Sequence, residues 1–433
     1  MLKFRTHVAA LLLAALLTAA VPVHAIERIS IATGGGQANA QSRYPAISGD
    51  GRYVVFTSDA NNLVAGDSNV AADIFLRDRL LGTTTRISVM GNGSQSDGAS
   101  YEANVNGDGT RIVFASHGHL LSNSGYQNCY LLDRAAHTLQ ILDLLPNSQP
   151  AATCNSVSID YLGTHVALES LDALQTGDAG YVDVYVRDLV GATMQRVSRA
   201  TGGGQANGDS MNPRISPDGS RVIFASNATN LIAGDSNGET DIFLASTTNS
   251  IPITRVDVGP SGVQASAPGG TGFIAALNAD GSLLAFSSKA QSLPDWGPFA
   301  EATLYLRIPS TDQTIALSIP DGTLPREGFN YEPDFDYSGR WLVFASSDVL
   351  YSGAEPGIYV IDLFAALIQL VSVGGNSGNV HQPRISADGS GIVWYSLSAT
   401  QVPGDTNGTW DAFYADNPLW VESSIFTDGF DGI

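Results

Sequence analysis

Lysine is almost missing from this 433-residue chain: Lys3 and Lys289 are the only two. Basic residues number 21 against 42 acidic ones, for a formal charge of −21. Such a surface repels phosphate backbones, which argues against a nucleic-acid partner and for a solvated, soluble exterior. Cysteine is as scarce, with Cys129 and Cys154 alone. Neither stands in a CxxC or a metal-ligand spacing, so the sequence offers no thiol redox motif and no structural zinc site. Past the first residues no apolar run approaches membrane-spanning length. No long amphipathic helix is legible either, and no nucleophile elbow of a hydrolase is read in the chain.

The one apolar run, Ala9 to Val21, follows Lys3 and Arg5 and ends in Val23-His24-Ala25. This is the form of a cleavable secretory signal, so residues 1–25 are expected to be removed and the mature protein to be periplasmic or secreted.

What fills the rest is a repeat. Asn212 to Ser226 reads NPRISPDGSRVIFAS, a short apolar strand, an Asp-Gly turn and a second apolar strand. Asp-Gly between two such runs is a hairpin signal. The turn glycine recurs as Gly51, Gly109, Gly163, Gly219, Gly281, Gly339 and Gly389. Seven residues after each comes a serine, Ser58 to Ser396, preceded by two by a large apolar residue such as Phe56 or Trp394. Further along lie a strand with a central aromatic (Asp73-Ile74-Phe75, Asp241-Ile242-Phe243) and a β-branched strand (Arg86-Ile87-Ser88, Arg196-Val197-Ser198). Labelling the four A to D, each repeat is one four-stranded blade. The expected architecture is all-β: a seven-bladed β-propeller over residues 26–417, with a tail over 418–433.

The seventh repeat lacks the Arg-Ile-Ser of a D strand, which stands instead at Arg28-Ile29-Ser30. From that arginine to the next turn glycine is 23 residues, as it is from Arg86 to Gly109. The N-terminal strand should therefore complete the last blade. The two cysteines fall on adjacent blades at the same face. They are read as a disulfide closing a loop of about 26 residues, worth about 3 kcal/mol, or as two buried thiols.

The SPDG turn, the VIFAS strand and the later D-(I/V)-(F/Y)-(L/V)-x-D strand resemble the TolB-like β-propeller repeat, itself related to the propellers of prolyl-oligopeptidase-type enzymes. The resemblance implies the fold and little about activity. The N-terminal α/β domain of TolB and the hydrolase domain of oligopeptidases have no counterpart here. Residues Ile425 to Asp431 are similar to a short terminal motif of some exported bacterial proteins.

Candidate sites are three. A strands line a propeller's channel, and their polar parity places Glu102, Arg214, Glu332, Asp334 and Arg384, with His381 nearby, in a ligand funnel. Their alternative is mutual pairing across the channel. Oligogalacturonate lyases, on related propellers, hold a metal there with several histidines, whereas only His381 lies near an A strand here. His117 and His119 form an HxH, which alone is short of a zinc site. Between strands B and C the pattern D-x-N-x-x-x-D occurs at Asp67-Asn69-Asp73, Asp235-Asn237-Asp241 and Asp405-Asn407-Asp411. It suits Ca²⁺ in donor type but lacks an EF-hand's closing glutamate. An Asx-turn is the alternative. The octet ATGGGQAN at 32–39 and again at 200–207 has no following helix or lysine and is a turn, not a phosphate loop.

The expected function is an exported, monomeric, non-catalytic propeller that needs no cofactor and binds a protein or glycan on one face or in the funnel. The alternative is a channel-centred hydrolase or lyase acting on a carbohydrate or peptide.

Overall fold

The computed structural model describes residues 25–121, 127–178, 180–248, 250–266, 275–294, 302–317, 329–347, 350, 355–373 and 379–420. The signal expected at the N terminus and the tail beyond Trp420 lie outside them. Seven antiparallel sheets of four strands each follow one another in chain order. Blade 1 is typical, with A at Ser42–Ile47, B at Tyr53–Ser58, C at Asp73–Asp78 and D at Thr83–Arg86. This is the seven-bladed propeller that the repeat implied.

Each blade is built on the B–C pair. Phe56 lies directly across from Phe75, and their rings stack at 5.8 Å between centroids. The same stack recurs as Phe114–Tyr130, Phe224–Phe243, Phe286–Tyr305, Phe344–Tyr359 and Trp394–Phe413, all fully buried. Directly opposed aromatics are strong cross-strand pairs. Blade 3 keeps the position with Leu168 opposite Tyr185.

The turn glycines sit at φ between 70° and 75° in all seven A–B hairpins, a region closed to most side chains. Asp50 fixes blade 1's turn by accepting from the Ser48 hydroxyl and the Arg52 N–H.

Closure follows the register of the repeats. Glu27–Arg28 pairs antiparallel with the last C strand, Asp411–Asp416, so the chain's first strand is the fourth strand of blade 7. The Ile29 N–H then donates to the Ala412 carbonyl at 2.8 Å, and the Ser30 hydroxyl to Asp411 at 2.6 Å. Arg28 is buried against Asp405 at 3.0 Å and Asp411 at 3.7 Å. Arg28→Ala leaves two buried carboxylates without their cation, so it is expected to cost about 3 kcal/mol in urea unfolding. A loss under about 1 kcal/mol would show that the strand's backbone alone holds the ring.

Cys129 and Cys154 are joined by a disulfide, Cα to Cα 5.5 Å, linking blades 2 and 3.

One buried position varies between blades in an instructive way. In blades 1, 3 and 7 a serine of the D-strand end (Ser88, Ser198, Ser30) donates to the first aspartate of strand C and accepts a backbone N–H. Blade 4 puts Asp257 there, facing Asp241. Asp257 Oδ1 accepts the Ile242 N–H, and burial, then the Asp241 charge, raises its carboxyl well above the ordinary value. Its second oxygen has a partner only when it carries a proton for Asp241. A carboxyl whose folded pKa exceeds its unfolded value, about 3.9, stabilises fully below that value and loses this as pH rises through the folded pKa. Asp257→Ser is therefore expected to raise Tm at about pH 8 and to change it little at about pH 4. Thermal melts with equal shifts at both pH values would rule the shared proton out.

Candidate functional site

The channel is built by the A strands, and these are not regular. In six blades the A–B register slips by one residue, as between Arg43 and Ala46 or His381 and Arg384. The residue seven before the turn glycine takes positive φ in five blades: Tyr44, Glu102, Asn212, Glu332 and Gln382 at 45–57°. This is a β-bulge, with two residues opposing one, and it re-aims the side chains on either side of it. Simple two-residue alternation, the basis of the sequence expectation, stops there. A proline follows in four of these blades (Pro45, Pro213, Pro333, Pro383), and proline inside an inner strand was the available signal.

The bulge also turns a backbone N–H toward the preceding blade, where a carboxylate accepts it. Glu169 accepts from Asn212 and Glu332 from Gln382, both at 2.6 Å. Asp334 accepts the Ile385 N–H at 3.1 Å, and Ser158 ties to both Pro213 and Ile215. Glu169, which the sequence did not single out, is pushed up to about 7 by burial. Glu102 projects into the channel, bonded to Ser156, and desolvation by the surrounding walls raises its carboxyl.

The ring five before the glycine (Ala46, Asn104, Ser158, Arg214, Ala276, Asp334, Arg384) forms the channel's waist. Two small chambers of about 140 and 100 Å³ meet there. Arg214 approaches Asp334 at 3.4 Å and Arg384 approaches it at 3.9 Å. Of the predicted funnel residues, the structure thus gathers Glu102, Arg214, Asp334 and Arg384 on the chamber walls.

His381 and Glu332 sit toward the face of the D–A and B–C loops, 3.6 Å apart. The bulge places His381 in a half-buried aromatic cluster: Tyr395 stacks on it at 5.4 Å, with Trp410 at 5.4 Å and Tyr331 at 5.6 Å. Tyr44 of blade 1 extends the wall edge-on to Tyr395 at 5.6 Å, with Arg43 over its ring. Burial raises the phenols of Tyr331 and Tyr395, so both stay protonated, and Tyr331 donates to the Val380 carbonyl. Sequence reading missed this cluster because its members come from three blades.

The opposite mouth is narrower. The residues two before the turn glycine form a circle of backbone bonds, Gly49 to Gly107 to Tyr161 to Pro217. Asp218 to Ala279, Ala279 to Tyr337, Tyr337 to Ala387 and Asp388 to Gly49 complete it, all at 2.8–3.1 Å. Where Pro217 has no N–H, the next residue donates. Tyr161 of blade 3 and Tyr337 of blade 6 meet across the opening, T-shaped at 5.4 Å. Tyr161 lies so close on Gly49 and Gly107 that an added Cβ would stand 2.6 and 2.3 Å from its ring.

The D-x-N-x-x-x-D loops resolve as Asx-turns clamped by arginine. Asn69, Asn237 and Asn407 accept the N–H two residues on and donate to Asp73, Asp241 and Asp411. Between the two aspartates, where the calcium reading put an ion, lies the D-strand guanidinium. Arg86 is 3.0 and 3.4 Å from Asp67 and Asp73, and Arg255 is 2.5 and 2.6 Å from Asp235 and Asp241. Arg28 does the same for Asp405 and Asp411, and Arg196 for Asp178 and Asp183 in blade 3, whose loop departs from the pattern. Of the two readings of these loops, the Asx-turn is the one the hydrogen bonds show, with a guanidinium standing where calcium would have to bind. One Gly-x-Ser-x-Gly string, Gly234 to Gly238, does occur, contrary to the expectation of none. It lies within the blade 4 clamp loop between two strands, not in the strand–turn–helix setting of a nucleophile elbow. Asp235→Ala is expected to lower Tm by a few degrees, since 1 kcal/mol shifts Tm by about 2–4 °C at about 150–250 residues and by less in a longer chain, and excess chelator to leave the native Tm unchanged. A chelator-induced drop matching that of Asp235→Ala would restore calcium.

No protein-family model and no curated protein matches this chain. Among solved structures it is similar to an oligogalacturonate lyase in complex with manganese, with a TM-score of 0.55 and 14% identity over 91% of this chain and 93% of that one. A second oligogalacturonate lyase, from Vibrio parahaemolyticus, gives 0.53 and 12% over 92% and 97%. A TolB from Agrobacterium tumefaciens gives 0.39 and 14% over 64% and 80%. At these identities the likeness to the two lyases bears on the fold alone. Among the described residues no three His, Cys, Asp or Glu side chains converge as a metal site. Nor is any helix among them long and apolar enough to cross a membrane.

Proposed function

We propose that the protein is an exported, non-catalytic propeller that binds a protein or glycan chain at the channel mouth on the D–A and B–C loop face. The supporting observation is the half-buried wall of Tyr44, Tyr331, His381, Tyr395 and Trp410 beside an open, polar channel. Aromatic surface next to a few fixed polar groups is the usual make-up of a recognition site. The channel carboxylates Glu169, Glu332 and Asp334 are committed to neighbouring backbone N–H groups, which suits a rigid frame better than proton transfer.

The second reading, a hydrolase or lyase acting on a carbohydrate or peptide in the channel, draws support from the fold shared with oligogalacturonate lyases over most of the chain. It would rely on Glu102, Arg214 and His381, without a metal step that these residues support.

Export is proposed from the N-terminal sequence, and the mature chain is proposed to act as a monomer. Arrays of oligosaccharides and of peptides, probed with the mature protein, test the reading. Trp410→Ala and Tyr395→Ala are expected to weaken the retained ligand at least about tenfold, with Leu80→Ala, on a distant turn, unchanged. Turnover of the retained ligand by the native protein would favour the enzyme.

A further inference from the structure

The waist of the channel carries more positive charge than its own ring neutralises. Of its seven members two are arginines and one is an aspartate. Asp334 serves both guanidinium groups, loosely, at 3.4 and 3.9 Å, and also accepts the Ile385 N–H. Arg214 has one further contact, a long one of 3.5 Å to the Pro333 carbonyl. Arg384 Nη1 is buried with no hydrogen-bond partner among the described residues. Burial, then the like charge of Arg384, pulls the Arg214 guanidinium down to about 9, against the opposing charges of Asp334, Glu332 and Glu102.

Glu332 and Glu102 act on Arg214 as more distant counter-charges, with no hydrogen bond to it among the described residues. Glu332 is committed to Gln382 and His381, and Glu102 is bonded to Ser156 with its carboxyl raised. Asn104 and Ser158 add polar groups to the same ring. An oxyanion held by two guanidinium groups forms charge-assisted bonds that neutral donors do not match.

Size and access narrow the ligand. The chamber above the waist is about 100 Å³ and the one below about 140 Å³, room for a small group and not for a polymer segment. The far mouth is narrowed by Tyr161 and Tyr337, which meet over the ring of backbone bonds. The loop face, where the bulges splay the A strands, is the wider way in, and a longer ligand would reach the waist end first.

We propose that Arg214 and Arg384 form a carboxylate site at the channel waist, which takes either a free monocarboxylate or the terminal carboxylate of a longer ligand inserted from the open mouth. The longer-ligand form rests on the mouth reading given above, while the site itself does not.

Acetate is the probe. Calorimetric titration at constant ionic strength, with chloride as the balancing anion, should show one acetate site per chain. Arg384→Gln should weaken it about tenfold or more, the scale of one charge-assisted bond, and Arg384→Lys should restore part of it. Arg214→Gln serves as the second variant should Arg384→Gln fail to fold. An N-acetylated dipeptide acid that binds more tightly than acetate, with its amide inert, identifies the ligand-borne terminus. Equal affinity of acid and acetate identifies a free small acid. Acetate indistinguishable from chloride, or unaffected by both arginine variants, overturns the site. Such a failure alongside a Trp410→Ala defect in chain binding removes the waist site and leaves the mouth reading standing.

Discussion

A propeller exists only as a closed circle, and here the closure rests on a two-residue strand and one arginine. Glu27–Arg28 supplies the missing edge of blade 7, and Arg28 neutralises two aspartates that would otherwise be buried charges. An open ring would leave an unpaired strand edge and an apolar blade face in water. Every other feature of the molecule, including the channel and both its mouths, presupposes that circle. The same arginine clamp recurs in blades 1, 3 and 4, so the chain closes itself with a device it already uses within single blades.

The two ends of the channel are shaped by different forces. At the turn end, seven backbone hydrogen bonds draw the A strands together, and small residues at Gly49 and Gly107 admit the Tyr161 ring. At the loop end, the bulges splay the strands and expose backbone N–H groups that carboxylates of the preceding blade accept. The result is a cup lined by polar groups, with aromatic side chains on its rim. Acidic residues that look available for catalysis in a list of titratable groups are largely tied into the frame.

The distribution of charge is informative at this scale. The chain as a whole is strongly acidic, yet the waist ring is not. Two guanidinium groups so close together inside an acidic exterior need a reason, because each buried cation costs desolvation. The structure meets that cost for the four blade arginines with paired aspartates and does so only loosely for Arg214 and Arg384.

What the sequence by itself determined is the repeat and all that follows locally from it. The Asp-Gly turns, the B–C aromatics and the Arg-Ile-Ser of the first strand state the blade count, the strand order and the closure, because each depends on short-range spacing that recurs in register. The waist ring was legible for the same reason, lying on the regular side of the bulge. The Asx-turns of the D-x-N-x-x-x-D loops were legible too, but their clamp was not, since spacing shows the oxygens and not the arginine, which arrives from the next strand or, for Arg28, from the other end of the chain. The aromatic rim and the tyrosine pair at the narrow mouth were decided by tertiary structure alone. Tyr44, Tyr331, His381, Tyr395 and Trp410 belong to three blades, and Tyr161 and Tyr337 to two on opposite sides of the ring. Only a circle, which sets residues hundreds of positions apart side by side, brings them into contact.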